Sequence, residues 1–249
     1  MAGDFDYETR GSGYAAMRRA DPRIAAKVHA ALDDARTVLN VGAGAGSYEP
    51  DDRDVIAVEP SAVMRAQRPP HLGPAVAAVA EHLPFPDDAF DAAMAMVTVH
   101  QWPHPEAGLR ELRRVTRGPV VILTFDGDEL DRFWLAEYAP ALIAAERRRY
   151  PAMAMLARVL GPATTITAVP IPIDCTDGFT EAFYARPERM LQAHVRAAQS
   201  AWGFVDDSAA ARAVATLRAD LDSGRWDARH GHLRTTPTFE GSLRLVVGA

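Results

Sequence analysis

Apolar residues in the first half of the chain alternate between short continuous runs and stretches with helical spacing. The continuous runs predict five strands, near residues 37–41, 54–58, 75–79, 90–97 and 118–125. Before the first of them, residues 21–34 place Ile24, Val28, Ala31 and Leu32 on one face of a helix. Strands that alternate with helices predict a parallel sheet with right-handed crossovers.

The second half of the chain has a mainly helical pattern. Its predicted elements are, in order, helices over 128–149 and 151–160, a strand over 164–173, helical segments over 178–222 and a last strand over 242–248. The total is seven strands, which predicts an α/β fold with a mostly parallel, doubly wound, Rossmann-like sheet. About 65 residues are inserted before the last strand. Ligands of such sheets bind beyond the carboxyl ends of the strands, so we expect this insertion to form a helical substrate lid there.

The composition is that of an ordinary globular protein and excludes several classes of partner. The chain has 249 residues, a net charge of −6 and a pI near 5.7, whereas a nucleic-acid-binding protein usually has a basic surface. We therefore expect no nucleic-acid partner, and the absence of a long apolar run predicts no membrane span. Cys175 is the only cysteine, so no intrachain disulfide is possible. Together with an N-terminus unlike a signal peptide, this favours a cytoplasmic location.

A glycine-rich turn with an acidic residue beyond it is the main candidate binding motif. Thr37–Gly46 reads as a buried strand that runs into a G-x-G-x-G turn, and Glu59 ends the next strand. Glycine lets a backbone approach a ligand closely, and a carboxylate accepts from both hydroxyls of a ribose. The dinucleotide pattern needs a third glycine where Ser47 stands, and no P-loop lysine follows. A nucleoside-containing ligand is therefore predicted, with a glycine turn of a generic α/β domain as the alternative.

Three further segments follow this turn in a recognisable order and spacing. They are Val55–Arg68 with Ser61 as an expected N-cap, Ala80–Asp91 with a Leu-Pro-Phe-Pro run, and Leu109–Val115 before the fifth strand. With the glycine turn, they resemble the motifs of the class I S-adenosylmethionine (SAM)-dependent methyltransferases, in particular the type 11 methyltransferase domain. The resemblance covers residues 35–126. It implies a single methyltransferase domain over 1–249, with an N-terminal cap segment (1–34), a SAM-binding core (35–126) and substrate-side helices (127–240) that include the insertion 174–240.

The resemblance also implies which residues bind SAM. Glu59 would hold the ribose hydroxyls, Met64 would back the adenine, and Tyr14 and Arg18 would lie on a segment that folds over the cofactor and meets its carboxylate. The remaining expected cofactor-binding residues are Gly42, Ala43, Gly44, Pro60, Ala80, Glu81 and Val97. Relatives usually have an aspartate where this chain has Val79, so the adenine is expected to use the backbone near Ala80 or the Glu81 side chain.

Candidate chemistry follows the fourth strand. His100 is the expected catalytic residue, because a histidine titrates near neutral pH and can act as general base, and His104 is a weaker candidate. Trp102 is either a pocket wall or core packing. The other expected substrate-binding residues are Trp134, Tyr138, Asp177 and Tyr184. No metal is expected, since the histidines lack metal-ligand spacing.

The resemblance predicts a SAM-dependent methyltransferase that acts on a small molecule or small peptide. An oxygen acceptor, carboxylate or hydroxyl, is the first choice, with nitrogen second and carbon third. The target-binding tetrapeptide of DNA-base and glutamine methyltransferases is missing, since Val97–His100 stands in its place. Two other functions stay open at this stage: a nucleotide-dependent oxidoreductase, and a SAM-binding regulatory protein without catalysis. The sequence leaves the oligomeric state open.

Overall fold

The computed structural model describes residues 18–249, which form nine strands and the helices between them. The strands are β1 Thr37–Val41, β2 Asp54–Val58, β3 Ala75–Val76, β4 Ala92–Met96, β5 Val120–Phe125, β6 Thr165–Ala168, β7 Ile171–Pro172, β8 Thr238–Phe239 and β9 Leu243–Gly248. Seven of them form one sheet in the order β3-β2-β1-β4-β5-β9-β6. β1 to β5 are parallel, whereas β9 runs antiparallel to both β5 and β6. This confirms the predicted seven-stranded, mostly parallel sheet.

The central strands are buried on both faces, which explains their continuous apolar sequence. All six residues of β5 are buried, and Leu39 of β1 lies between Ile56 of β2 and Ala93 of β4. Alternate residues of each strand point to opposite faces. One hydrophobic cluster accordingly contains Val121 and Leu123, and the second contains Val120 and Ile122.

Helices cover both faces of this sheet. Asp21 caps the helix Pro22–Ala31 by accepting from the backbone N–H of Arg23 at 3.0 Å, and Ile24 and Val28 join the first cluster. On the other face, the helices Pro105–Val115 and Met153–Leu160 pack in the second cluster. No helix within residues 18–249 has both the length and the apolar character that a bilayer crossing needs.

The second half differs in detail from its predicted elements. Instead of one helix over 128–149, the structure has a 3-10 turn at Gly127–Arg132 and two α-helices, Leu135–Tyr138 and Pro140–Arg149. Pro140 begins the second α-helix because its ring cannot donate the backbone bond that would continue the first. The remaining α-helices are Ala62–Arg65, Ala193–Ala197, Asp207–Asp222 and Arg225–His230.

Several predicted strands are shorter than expected. β4 is Ala92–Met96 rather than the predicted 90–97, and β5 is Val120–Phe125 rather than the predicted 118–125. The strand predicted over 164–173 divides into β6, at the edge of the main sheet, and β7, which pairs with β8 in a separate two-stranded sheet. Pro170 lies between them, and a proline cannot donate to a ladder in the middle of a strand. β3 covers only Ala75–Val76 of the predicted 75–79, because beyond Val76 the chain leaves the sheet for a turn.

Candidate functional site

The glycine turn after β1 is held by backbone hydrogen bonds to β2. The N–H groups of Gly42 and Ala43 both donate to the carbonyl of Val58, at 2.9 and 3.0 Å. Gly42 has φ 70°, and a Cβ built on it would lie 2.1 Å from Oγ1 of Thr98. Protein packing alone therefore requires glycine at 42. Gly44 is also in the left-handed region, with φ 53°. A Cβ built on it would have one neighbour within 4 Å among the described residues, Met64 Cε at 3.3 Å, which is the end of a flexible side chain.

Glu59 lies directly beyond this turn and is buried. Its Oε2 accepts from the N–H of Gly44 and its Oε1 from the N–H of Ser61, both at 2.8 Å. Burial raises the pKa of this carboxyl, although the two backbone donors act in the opposite direction. A carboxylate offers about four lone-pair sites, so both oxygens keep capacity for a further donor. This arrangement can accept two ligand hydroxyls.

Ser61 and Met64 complete this wall of the candidate site. Ser61 caps the helix Ala62–Arg65 as expected, and its Oγ accepts from the N–H of Met64 at 3.2 Å. The cap fixes the first turn of the helix and directs the buried Met64 side chain towards Gly44. Pro60, in contrast, is exposed.

Behind the turn lies a buried ion pair that the sequence analysis missed. The Arg68 guanidinium donates two hydrogen bonds of 2.9 Å to the two oxygens of Glu49, and Asn40 Nδ2 donates to Glu49 Oε1 at 2.9 Å. Bidentate pairing of this kind fixes geometry as well as charge. The pair therefore joins β1, the glycine turn and the chain after the helix Ala62–Arg65. Its only sequence signal is an acidic residue close after a glycine motif, which is common on surfaces.

The residues predicted to meet an adenine lie next to Trp102. Ala80 is buried, and Glu81 Oε1 accepts from the backbone N–H of His104 at 3.0 Å, ahead of the helix Pro105–Val115. The Trp102 ring packs on that helix, since a Cβ on Gly108 would lie 2.6 Å from Trp102 Cε3 and 3.1 Å from the Ala80 Cβ. Trp102 thus belongs to the packing on this face rather than to the cavity beside His100.

That cavity opens at the carboxyl ends of β4 and β5, beneath the second half of the chain. Between its walls lies about 440 Å³ of space free of protein atoms, open solvent at the mouth included, of which about 30 Å³ can hold the centre of a water molecule. Its apolar wall consists of Val97, Phe125, Leu130, Tyr150 and Phe179. Val97 has φ 53°, which is unusual for a β-branched side chain and is the kind of strain found at functional sites. The strain turns the chain sharply after β4 and brings His100 to the cavity.

His100 is buried, and its imidazole is held uncharged. Its ring packs edge-on against the Tyr150 ring, with centroids 4.9 Å apart. Burial, together with the charges of Arg149 and Arg18, lowers the pKa of His100 well below its usual value. Nε2 lies 3.3 Å from the Gln101 amide nitrogen, and Nδ1 has no hydrogen-bond partner among the described residues. The orientation of the Gln101 amide sets the tautomer, because a rotated amide would accept from Nε2–H and leave a lone pair on Nδ1.

The opposite wall of the cavity contributes two buried carboxyls. Burial raises the pKa of both Glu146 and Glu181 to about 7. Both Glu181 oxygens accept from the backbone N–H of Ser242, at 3.1 and 3.0 Å, so this side chain fixes the start of β9. Among the described residues, Glu146 has one weak hydrogen-bond partner, the Thr180 hydroxyl at 3.4 Å. Sequence analysis missed both residues, because a glutamate in a polar helix usually faces solvent.

Arg18 and Asp177 meet at the edge of this cavity. Arg18 Nε donates to Asp177 Oδ1 at 2.6 Å, and the Tyr48 hydroxyl donates to Oδ2 at 2.8 Å. Asp177 is buried and both of its oxygens are engaged by protein donors, which favours a structural role, and substrate binding by Asp177 stays a prediction. Arg18 lines the cavity. Tyr14, its expected companion, lies outside the described residues.

Three other residues predicted to bind substrate lie in the core of the substrate-side half, residues 127–240. Trp134 Nε1 donates to the Tyr184 carbonyl at 2.9 Å, and the Tyr184 hydroxyl donates to the Thr236 carbonyl at 2.6 Å. The Tyr138 hydroxyl donates to Asp220 Oδ2 at 3.0 Å. Their rings are buried in the first hydrophobic cluster and do not line the cavity. The structure therefore places these three side chains in core packing, and substrate binding by them stays a prediction.

No metal centre accompanies this cavity in the part of the chain that the structure describes. Within residues 18–249, no three His, Cys, Asp or Glu side chains come together in a group that could hold an ion. His230 instead lies beside Trp226 and Glu137 in the insertion.

Comparison with known proteins agrees with this arrangement. Residues 39–123 match the family described as the methyltransferase domain. A protein of Anabaena variabilis, described as a methyltransferase from an antibiotic biosynthesis pathway, is 28% identical, covers 94% of this chain and 99% of its own, and superposes with a TM-score of 0.87.

Two more distant structures share the fold alone. A SAM-dependent methyltransferase of Thermotoga maritima is 15% identical, with 98% of this chain and 91% of its own covered and a TM-score of 0.54. Geranyl diphosphate C-methyltransferase of Streptomyces coelicolor is 13% identical, with 91% and 78% covered and a TM-score of 0.50. No curated protein is similar enough to this chain to count as a relative.

Proposed function

Because this chain belongs to the class I SAM-dependent methyltransferases, we propose that it methylates a hydroxyl group of a small molecule bound in the cavity beside His100. The observation that carries this proposal is a buried, uncharged imidazole at the carboxyl end of β4, in a cavity that residues of the insertion also line. The site is small and is lined by both apolar and polar side chains, which suits a compact acceptor better than a polymer.

The chain's own residues fit the cofactor. Glu59 presents a buried carboxylate whose two oxygens each keep acceptor capacity, which suits the two hydroxyls of a ribose. At Gly44, only the end of the Met64 side chain lies within 4 Å of a Cβ position among the described residues, so an apolar ring could approach the backbone beside Met64. Ala80 and Glu81 lie in the turn that follows β3. When bound, SAM supplies an activated methyl group on a sulfonium.

At the acceptor end, the protein orients, excludes water and takes a proton. Phe125, Tyr150 and Phe179 surround the acceptor with apolar surface, and such a dry site strengthens every polar interaction inside it. With the Gln101 amide rotated, His100 Nδ1 has a lone pair that can accept the hydroxyl proton. Because burial lowers the pKa of His100, this base is weak. A phenolic or enolic hydroxyl, acidic like that of tyrosine, therefore suits it better than an alcohol.

The charges in the cavity favour a hydroxyl over a carboxylate acceptor. Glu146 and Glu181 both lie in its wall, so the carboxylate of a substrate would meet like charge. Arg18 also lines the cavity, but it already pairs with Asp177 at 2.6 Å. An acceptor oxygen that is neutral until it reacts avoids this repulsion.

Turnover of small phenols tests the proposal. The expected result is that the purified protein binds SAM by calorimetry, with no detectable binding of NAD, and produces S-adenosylhomocysteine with some members of a panel of phenols and enols. A protein that binds SAM but forms no product with any acceptor would instead fit the non-catalytic, SAM-binding alternative. Product formed only with carboxylic acids would contradict the hydroxyl assignment.

A further inference from the structure

Glu146 is a buried carboxyl for which the fold provides almost no compensation. It lies in the helix Pro140–Arg149, one turn before Tyr150, and its side chain lines the cavity. Only 7% of its surface is exposed. Within residues 18–249, no arginine or lysine nitrogen lies within ion-pair distance of it. A buried carboxylate without a partner strongly destabilises the folded protein, so a protein rarely keeps one without a use.

The Thr180 hydroxyl, which contacts Glu146, also contacts a second acceptor, the Gln199 side-chain carbonyl. Thr180 Oγ1 lies 3.4 Å from Glu146 Oε1 and 3.1 Å from Gln199 Oε1. A hydroxyl has one proton to donate, and the shorter contact is the one to Gln199. When Thr180 donates there, Glu146 receives no hydrogen bond from any of the described residues.

Gln199 has a hydrogen-bond donor that is likewise without a partner among the described residues. Its Oε1 also accepts from Trp202 Nε1 at 3.1 Å, which fixes the orientation of the amide. Its Nε2 is buried and has no partner among the described residues. The cavity wall thus offers a carboxylate acceptor and an amide donor that no group of residues 18–249 fully uses, which is the pattern of a site built for a ligand.

The surroundings of Glu146 define the ligand group that it fits. Arg18 is paired with Asp177, and the Arg149 guanidinium lies 4.7 Å from the centre of the Phe204 ring and donates to Ser200 at 3.2 Å. Burial raises the pKa of the Glu146 carboxyl to about 7, although both arginines act in the opposite direction. A cationic donor would hold this carboxyl in its charged form and supply the missing partner. Aromatic rings stand beside it, with Phe125 5.3 Å from Tyr150 and 5.4 Å from Phe179 between ring centres.

We propose that the substrate carries a protonated amine and that Glu146 binds this group inside the cavity, with the aromatic side chains holding an apolar body. This inference rests on the proposed function, because it takes the cavity to be the binding site of the acceptor. It adds a substrate class, an amine that also bears the acidic hydroxyl, and assigns Glu146 as a substrate-binding residue.

Three phenols that differ only in charge test the amine. Tyramine, 4-ethylphenol and 3-(4-hydroxyphenyl)propionate share ring and hydroxyl, and end in a cation, a neutral group and an anion. Their dissociation constants are measured by calorimetry on protein saturated with S-adenosylhomocysteine, so that no turnover occurs. We expect tyramine to bind at least about tenfold more tightly than 4-ethylphenol, and the propionate to bind most weakly. Wild-type protein that does not prefer tyramine overturns the proposal.

Two variants and one spectroscopic measurement locate the effect. Glu146→Gln should bind tyramine and 4-ethylphenol equally, whereas Glu181→Gln, which alters an equally buried carboxyl already engaged by Ser242, should keep the preference. Loss of the preference in both variants, or in Glu181→Gln alone, overturns the assignment to Glu146.

The carboxyl of Glu146 can also be followed in the wild type by carbon-detected NMR. Its pKa should fall by about one to three pH units when tyramine binds, because an opposite charge then lies beside it. The groups that face this carboxyl are Arg18, Arg149, His100, Tyr150 and Glu181, none of which the amine replaces. An unchanged pKa overturns the proposal. Failure to bind S-adenosylhomocysteine at all would instead contradict the proposed function.

Discussion

At the scale of single residues, Glu59 holds the backbone of the glycine turn and is expected to bind the ribose. An alanine variant would remove both interactions at once and could not separate them. Its oxygens hold the N–H groups of Gly44 and Ser61, both at 2.8 Å, and they also face the expected ribose. Glu59→Gln removes the charge and one acceptor while it keeps the size of the side chain. We predict that it weakens SAM binding at least about tenfold, since each hydrogen bond to a charged group contributes about 1.5–3 kcal/mol.

A matched control for Glu59 stands at the other end of the same strand. Asp54 begins β2 and is exposed, so Asp54→Asn removes one carboxylate charge far from the glycine turn. Its SAM affinity, measured by calorimetry beside that of Glu59→Gln, should equal that of the wild type. Equal affinities in all three proteins would remove Glu59 from the cofactor site.

Glu146 makes the stability of the protein depend on pH in a predictable direction. Its pKa is about 7 in the folded protein against an ordinary value of 4.5, so between these values the folded chain binds more protons than the unfolded chain. The free energy of unfolding must therefore fall as the pH rises from 4.5 to 7. We predict that Glu146→Gln is more stable than the wild type by about 1–3 kcal/mol at pH 8 and about equal at pH 4.5.

Urea unfolding of the wild type and Glu146→Gln at pH 4.5 and pH 8 measures this difference. Glu181→Gln is the informative comparison, because its carboxyl has the same raised pKa but accepts from Ser242. Glu181→Gln should lose hydrogen bonding to the Ser242 N–H, and this loss should offset part of the free energy gained by removing a buried charge. Its stability at pH 8 should therefore rise less than that of Glu146→Gln. A Glu146→Gln variant with the same advantage at both pH values would show that the carboxyl does not titrate near 7.

His100 is expected to affect turnover rather than cofactor binding. We predict that His100→Gln, which keeps much of the contact with Tyr150, lowers kcat by about 10²–10⁴-fold, the usual span for loss of a general base. SAM affinity should change little. Because burial lowers the pKa of His100, kcat of the wild type should show no fall from its protonation between pH 6 and 9.

These constants are measured with tyramine, or with the phenol of the panel that gives most product. His71→Gln changes an exposed histidine outside the cavity and should match the wild type. If His100→Gln also matched the wild type in kcat and KM, the base would have to be sought elsewhere in the cavity.

At the scale of elements, Gly44 of the glycine turn could be required for its backbone conformation or for the space that a side chain would fill. Gly44 has φ 53° and Gly224 has φ 76°, so both positions disfavour a side chain for the same backbone reason. Asparagine tolerates this region better than other residues. We predict that Gly44→Asn and Gly224→Asn both fold and lose a similar stability, about 1 kcal/mol each.

The two variants should differ in cofactor binding. A side chain at 44 would occupy the space in front of Met64, whereas nothing lies within 4 Å of a Cβ on Gly224. Thermal unfolding and calorimetry with SAM should therefore show lost binding for Gly44→Asn only. Retained binding in Gly44→Asn would mean that this glycine serves the backbone alone.

The elements of the cofactor half were predictable from sequence, because local pattern determines them. β1 and β2 have the predicted bounds, since buried parallel strands are continuous apolar runs, and the Ser61 cap follows from residue type and spacing. The cavity was less predictable. Asp177 looked like a ligand-binding residue, but its partners Arg18 and Tyr48 are 159 and 129 residues away in sequence. Contacts at such separation leave no local signal.

At the scale of the whole molecule, one carboxylate joins three distant parts of the chain. Asp177 belongs to the insertion, Arg18 precedes the first described helix, and Tyr48 follows the glycine turn. Ser47 adds a bond of 3.2 Å from its hydroxyl to the Arg18 carbonyl. Burial and the nearby Asp177 charge raise the pKa of Tyr48 well above its usual value, so its hydroxyl stays a donor to Asp177. This contact therefore ties the insertion to the cofactor half beside the cavity.

Removal of the Asp177 carboxylate should destabilise the insertion and the cofactor half, since both are held by its hydrogen bonds. Asp177→Ala leaves the buried Tyr48 hydroxyl and the Arg18 guanidinium without this partner, and we predict a loss of about 3–5 kcal/mol in the free energy of unfolding. Asp174→Ala is the matched control, because the Arg23–Asp174 pair is exposed (49% and 72% of the side chains) whereas the Arg18–Asp177 pair is not (13% and 1%). An exposed pair contributes about 0–1 kcal/mol, so this variant should unfold nearly like the wild type. Urea unfolding and SAM calorimetry on both variants measure the effect. A stable Asp177→Ala protein with unchanged SAM affinity would show that the insertion and the cofactor half are held together by their apolar packing alone.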